Sequence, residues 1–252
     1  MISHRNFKLI QALKKKKYRR LHTLFVIEGR RLISEAVTSS ININELFVTT
    51  SFTAKPQHAQ LMDLIASKAI RTNHITDKEC ASISDTKSPS GILAICEMPI
   101  PSKMDFADNW LYLDEFRDPG NLGALLRSAA WFGVKNIALS DNCIDPYNSK
   151  VLRGGMGAHL ILSIHEKIAL SEFKDKKSTI IGAVQNGKSV MHLKPNQFTP
   201  WVLVIGSEAR GINKNNLNLI DLKITIQKIG YGESLNAAIA GSIILNQLTS
   251  LP

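Results

Sequence analysis

Three segments of this 252-residue chain carry side chains with chemistry to offer. In the first, Asp118-Pro119-Gly120-Asn121 forms a turn leading into an apolar helix, and Arg127 follows Asn121 by six residues. A guanidinium among Leu122, Leu125, Leu126 and Ala129 needs a partner or an open face. It can serve such a partner, or it can simply sit at the surface beside a helix start. In the second segment, VLVIGSEARGI (202–212), an apolar strand exits through Gly206-Ser207-Glu208, with Gly211 close behind. Ligands of parallel sheets gather beyond the carboxyl ends of strands. In the third (224–245), a strand passes through a glycine-containing loop to Glu233-Ser234-Leu235-Asn236 at the start of a helix. Free N–H groups and the helix dipole favour an anion there; equally, Ser and Asn at that place can be an ordinary N-cap.

Segments of this kind need an α/β frame. Strands are predicted over 111–116, 136–140, 160–166, 179–184, 201–206 and 223–227, with helices over 121–133 and 234–248 and a short one within 148–160. Runs of Val, Ile and Leu separated by helices predict a parallel sheet covered on both faces. The first half alternates as well: helices over 3–20 (Ser3 as N-cap), 30–40 and 58–69, and strands over 24–29, 45–50 and 92–98. Between the halves, the polar stretch opened by Pro99 and Pro101 reads as a linker. The expected organisation is a domain over 1–98, a linker over 99–106 and a second domain over 107–252.

Composition narrows the function. Hydrophobic residues at 44% and charged residues at 21% fit a globular protein with a core. No apolar run reaches the ~18 residues of a membrane helix. Three scattered cysteines supply neither a disulfide framework nor a zinc motif, so the default setting is the cytoplasm. The net charge is +10, and residues 1–31 alone contribute +9, with ten basic side chains and one acidic. A patch that concentrated points to a polyanion. Lys14, Lys15, Lys16, Lys17, Arg19 and Arg20 are the candidate contacts, to a nucleic acid or an anionic membrane face by charge alone, and to RNA phosphates under the family resemblance given below. P-loop, Rossmann glycine, nucleophile-elbow and HExxH motifs are all missing.

Taken in order, the three segments resemble the SpoU/TrmH family of RNA ribose 2′-O-methyltransferases in the SPOUT superfamily. The resemblance rests on Asn121, Gly123 and Arg127 as N-x-G-x-x-x-R, on Gly206, Glu208 and Gly211 as G-x-E-x-x-G, and on Ser234-Leu235-Asn236 as the S-L-N helix start. Residues 145–158 are similar to the family's intervening segment, and 25–36 and 87–95 to its accessory substrate-binding domain. The resemblance implies a small N-terminal α/β substrate-binding domain before an α/β catalytic domain with a C-terminal trefoil knot. It implies S-adenosylmethionine held near Gly206, Ile226 and Leu235, a homodimer, and no metal, because the sulfonium is already an activated methyl donor. Arg127 would be central, supported by Asn121, Glu208, Ser234 and Asn236. A guanidinium keeps its proton up to about pH 12, so two roles stand: holding the phosphate while orienting the hydroxyl, or taking the proton with help from Ser234. Ribosomal RNA is the favoured substrate. The alternatives are a tRNA enzyme, a base methyltransferase, and a non-catalytic RNA-binding protein that keeps the knotted fold. The chain departs from the family at Gln227-Lys228, where Pro-Met is usual, and at Ala237-Ala238, where Val-Ser is common.

Overall fold

The structure, a computed structural model, describes residues 2–193 and 198–250. These fall into two compact units. One holds residues up to 99 together with 147–160; the other holds 100–146 and 161 onward.

The first unit begins with α1 (His4–Leu13), capped by the Ser3 hydroxyl as expected, and α2 (Lys16–His22). The single helix expected over 3–20 is thus two, broken at Lys14-Lys15, where Lys15 turns extended. Then come β1 (Leu24–Glu28), α3 (Arg30–Thr38), β2 (Ile43–Thr49), α4 (Thr50–Thr53), α5 (Ala59–Ser67), β3 (Thr72–Ile75), α6 (Asp77–Ile83) and β4 (Ile92–Glu97). The sheet order is β1-β4-β2-β3, with β4 antiparallel to both neighbours and β2 parallel to β3. Alternation along the strands sends Phe25, Ile27, Leu46 and Val48 to a core with α3 and α5. Phe47, Leu93 and Ile95 go to a second core with Ile10 and Leu13 of α1 and Cys80 and Ile83 of α6. Sequence periodicity missed β3 and α6. β3 is four residues of mixed polarity, and α6 announces itself through a cap instead: Thr76 and Glu79 form a reciprocal capping box.

The second unit opens with β5 (Trp110–Asp114), α7 (Pro119–Trp131) and β6 (Asn136–Leu139). The next helix, α8 (Ser149–Gly155), belongs to the first unit, where Tyr147 and Leu152 are buried in the core with Phe25. In sequence this segment lies within the second domain expected over 107–252. The second unit resumes with β7 (Ser163–Glu166), β8 (Thr179–Ser189), β9 (Trp201–Gly206), α9 (Lys214–Leu217), β10 (Leu222–Thr225) and α10 (Ala237–Thr249). Its sheet order is β10-β8-β9-β5-β6-β7 and every pairing is parallel. Trp110, Tyr112, Phe173, Val202 and Val204 fill one of its cores. Among the described residues no helix is long and apolar enough to cross a membrane.

This topology positions the site. The chain leaves β5 for β6 and β7 on one side and returns to β8 and β9 on the other. β5 and β9 are therefore neighbours with diverging connections, and Asp114 pairs with Gly206 at their carboxyl ends. Ligands of open α/β sheets bind in the crevice such a reversal leaves.

Candidate active site

Two helix starts meet at this crevice. Asp118 caps α7, its Oδ1 accepting from the Asn121 N–H at 2.7 Å, with Pro119 in the first turn. Asn236 caps α10, its Oδ1 accepting from the N–H groups of Ala238 (3.0 Å) and Ile239 (3.1 Å). The helix expected from Ser234 begins only at Ala237, because Asn236 takes the cap. α7 and α10 lie side by side, with Ser128 Oγ 2.7 Å from Ser242 Oγ. Gly241 permits the approach, since a Cβ there would sit 2.7 Å from Leu125 Cδ1. Contacts run in the same order along both helices, so their N-termini, each a partial positive charge, converge.

Glu208 stands between them. Asn236 Nδ2 donates to Glu208 Oε1 and to Asn121 Oδ1, both at 2.8 Å, and Asn121 Nδ2 donates to the same Glu208 oxygen. Residues 121, 208 and 236, far apart in sequence, thus close one polar triangle. Glu208 reaches it because the chain turns back immediately after β9. Ser207 and Gly211 exchange two backbone hydrogen bonds, 3.1 Å and 2.8 Å, and Gly211 has φ +67°. Gly206 is pressed under that turn: a Cβ on it would lie 2.1 Å from the carbonyl carbon of Gly211 and 2.2 Å from the Ile212 nitrogen. A pocket of about 200 Å³ opens beside the triangle, lined by Glu115, Phe116, Arg117, Asp118, Ser207 and Arg210 among others.

One contributor escaped sequence reading. Asp114 is buried at the end of β5, and its Oδ2 accepts from the Asn213 N–H at 2.7 Å. It ties the segment after β9 to the strand carrying the first motif. A carboxylate ending an apolar strand, in Leu111-Tyr112-Leu113-Asp114, was the available signal.

The other expected residues lie outside the triangle. Arg127 is exposed on α7, roughly 9 Å further along the helix axis than Asn121 at 1.5 Å per residue, and has no hydrogen bond or ion pair among the described residues. Ser234 and Leu235 are exposed and Ile226 is half-buried. Between 227 and 235 the main chain makes no backbone–backbone hydrogen bond among the described residues, so its N–H and C=O groups are open to a ligand. Of the basic cluster in the first unit, Lys15, Lys16, Lys17 and Arg20 are exposed. Lys14 and Arg19 depart from the expected phosphate contacts. Lys14 pairs with Asp85 at 3.1 Å, and Arg19 is buried, its Nη1 donating to the Leu13 carbonyl at 2.7 Å across the α1–α2 break.

Both halves of the chain match known families. Residues 108–246 match the model of the SpoU rRNA Methylase family, and residues 5–94 match the MRM3-like substrate binding domain. The chain is 30% identical over 247 residues to the 23S rRNA (guanosine(2553)-2′-O)-methyltransferase RlmP of Bacillus subtilis, covering 93% of this chain and 95% of that one. A solved structure from Porphyromonas gingivalis, assigned to the TrmH family of RNA methyltransferases, superposes with a TM-score of 0.85 at 28% identity, covering 98% of both chains. An AdoMet-bound rRNA methyltransferase from Sinorhizobium meliloti shares the fold, with a TM-score of 0.81 at 24% identity over 98% of this chain and 95% of its own. Asn121, Glu208 and Asn236 all lie within the matched residues 108–246, and the chain belongs to the SpoU rRNA methylase family.

Proposed function

We propose that the protein is an S-adenosylmethionine-dependent methyltransferase that modifies a ribose 2′-hydroxyl in ribosomal RNA in the cytoplasm. The observation that carries this reading is the Asn121–Glu208–Asn236 triangle, closed at the reversal point of a parallel sheet by residues of all three motifs. The cofactor fits the segment after β10. Half-buried Ile226 and exposed Leu235 offer apolar surface, and the unclaimed main chain of 227–235 offers donors and acceptors. Gly206 lies under the adjoining turn. A trefoil knot formed by this C-terminal region fits the same arrangement. When bound, the cofactor supplies a methyl group whose bond to sulfur is already weakened by positive charge. The protein's part is positional. Arg127, exposed and unpaired, holds the phosphate beside the reacting ribose and turns the hydroxyl toward the methyl carbon. Asn121, Glu208 and Asn236 keep the two helix starts in register, and Ser234, exposed at the end of the loop, faces substrate. The test is transfer of labelled methyl from S-adenosylmethionine to unmodified ribosomal RNA, followed by nuclease digestion. Recovery of a 2′-O-methyl nucleoside supports the reading; label on a base or on tRNA alone overturns it.

A homodimer belongs to the same reading. On α7 the exposed residues Ala124, Arg127 and Trp131 recur at helical spacing; on α10, Ile239, Ile243 and Asn246 do the same. Trp131 is 84% exposed. A tryptophan on one and isoleucines on the other of two packed helices, all exposed, suit an interface with a second copy, and it would put Arg127 next to that copy. Trp131→Glu is expected to convert a dimer to a monomer in light scattering and to lower activity with it. A wild-type monomer would remove this element.

We assign the domain over 1–98 to RNA substrate and the domain over 107–252 to catalysis. Deleting residues 1–20 is not the test of the first, because Ile10 and Leu13 are core residues. Replacing Lys15, Lys16, Lys17 and Arg20 with alanine is. If three or four of them meet phosphates, the slope of log K against log salt should flatten by about 2–3, at roughly 0.7 per contact on single strands. An unchanged slope would place the RNA elsewhere.

A further inference from the structure

The two most exposed large hydrophobic side chains among the described residues stand two positions apart in the chain, and the fold gives them no work. Ile229 is 96% exposed and Tyr231 107%. Both lie in 226–236, the segment between β10 and α10. Tyr231 is set between Gly230 and Gly232. A Cβ on either glycine would meet nothing within 4 Å, so the arm projects into open space, and Gly232 has φ +115°. Neither Tyr231 nor Lys228, also exposed, has a hydrogen bond or ion pair among the described residues. Holding a phenol ring in water without a contact is unfavourable, and an apolar pair flanked by a free lysine suits a ligand with both a flat face and negative charge.

We infer that Tyr231 is a positioning residue for the substrate RNA, stacking its ring on an unpaired base next to the methylated nucleotide while Lys228 meets the backbone. This rests on the methyltransferase reading above and adds to it. Tyr231 is five residues from Asn236, so its Cα lies at most about 18 Å from that corner of the triangle. That reach spans the reacting nucleotide and its near neighbours. A ribose hydroxyl can be aimed only if its strand is held, and single-stranded RNA is held by aromatic rings against splayed bases with cations along the phosphates. The two other occupants of such an arm, the cofactor and a second copy of the chain, offer less. The cofactor has no strand to anchor, and the apolar stripe suited to a second copy lies on α7 and α10 instead.

The experiment compares wild type with Tyr231→Ala, Tyr231→Phe and Tyr231→Trp in three measurements: binding of a labelled single-stranded RNA of mixed sequence, binding of S-adenosylmethionine, and mass in solution. Tyr231→Ala should weaken RNA binding and lower kcat/KM by roughly 5- to 150-fold, the range for loss of one base stack. Tyr231→Phe and Tyr231→Trp should restore both, because they keep the ring and lose only the hydroxyl. S-adenosylmethionine affinity and mass should not move. RNA binding by Tyr231→Ala equal to wild type overturns the inference. So does an effect confined to S-adenosylmethionine, which would make the arm a cofactor cover, or to mass, which would make it a dimer contact. The binding measurement needs no turnover. A wild type that transfers no methyl group therefore defeats the methyltransferase reading without deciding this one.

Discussion

Arg127→Ala is expected to lower methyl transfer to ribosomal RNA by about 10²- to 10³-fold, the usual loss when one preorganised electrostatic group is removed from a reacting centre. The fold should survive. Arg127 is exposed on α7 and makes no hydrogen bond or ion pair among the described residues, so no packing depends on it. S-adenosylmethionine affinity should stay at the wild-type level, because the groups fitted to the cofactor are Gly206, Ile226, Leu235 and the main chain of 227–235, and Arg127 is assigned to the RNA phosphate. Arg127→Lys should recover only part of the rate: an ammonium carries the charge but not the planar fork that grips two oxygens at once. Single-turnover transfer of labelled methyl, with cofactor binding by calorimetry, checks all three. Activity within about threefold of wild type would remove Arg127 from the mechanism.

Gly206→Ala tests the frame instead of the chemistry. A methyl group at 206 would lie 2.1 Å from a backbone carbon of Gly211 and 2.2 Å from the Ile212 nitrogen. Backbone cannot swing aside as a side-chain tip can, so the turn carrying Glu208 must open. Overpacking of this kind costs about 3 kcal/mol, which for a chain of this size lowers Tm by roughly 6–12 °C. Opening the turn also pulls Glu208 from Asn121 and Asn236, so cofactor binding and activity should fall together. Thermal unfolding and calorimetry measure the two losses. A variant with wild-type Tm and cofactor affinity would show that the turn yields without consequence.

The two expectations have different origins in the chain. Arg127 was legible as a lone guanidinium on an apolar helix, before any coordinates. Gly206 by its own residues was legible as one strand-exit glycine of many, and only the family resemblance marked it as a cofactor contact. Its steric necessity appears when Gly211 folds back onto it, a contact made by a five-residue turn with two backbone hydrogen bonds. The basic cluster divides the same way. Charge density pointed to all six of Lys14, Lys15, Lys16, Lys17, Arg19 and Arg20. Burial then withdrew Arg19, whose guanidinium satisfies a main-chain carbonyl at a helix break that periodicity did not reveal. Short elements of mixed polarity, such as Thr72–Ile75, stayed invisible because four residues do not establish a period.

What the sequence determined by itself is therefore local. It set the apolar runs that become strands, the Asp118-Pro119 helix start and, to within a few residues, that of the last helix, the glycines at strand exits, and the residue types able to do chemistry. Those properties follow from one residue and its near neighbours, through backbone sterics, capping and periodicity. The tertiary structure decided which of them meet. Asn121, Glu208 and Asn236 are separated by 87, 115 and 28 residues in their three pairings. Only the parallel order of β5 beside β9, with α7 and α10 packed through Gly241, sets their amides and carboxylate within hydrogen-bonding distance. Spacing along a chain carries no information about such a closure, because it depends on the order in which distant strands join the sheet.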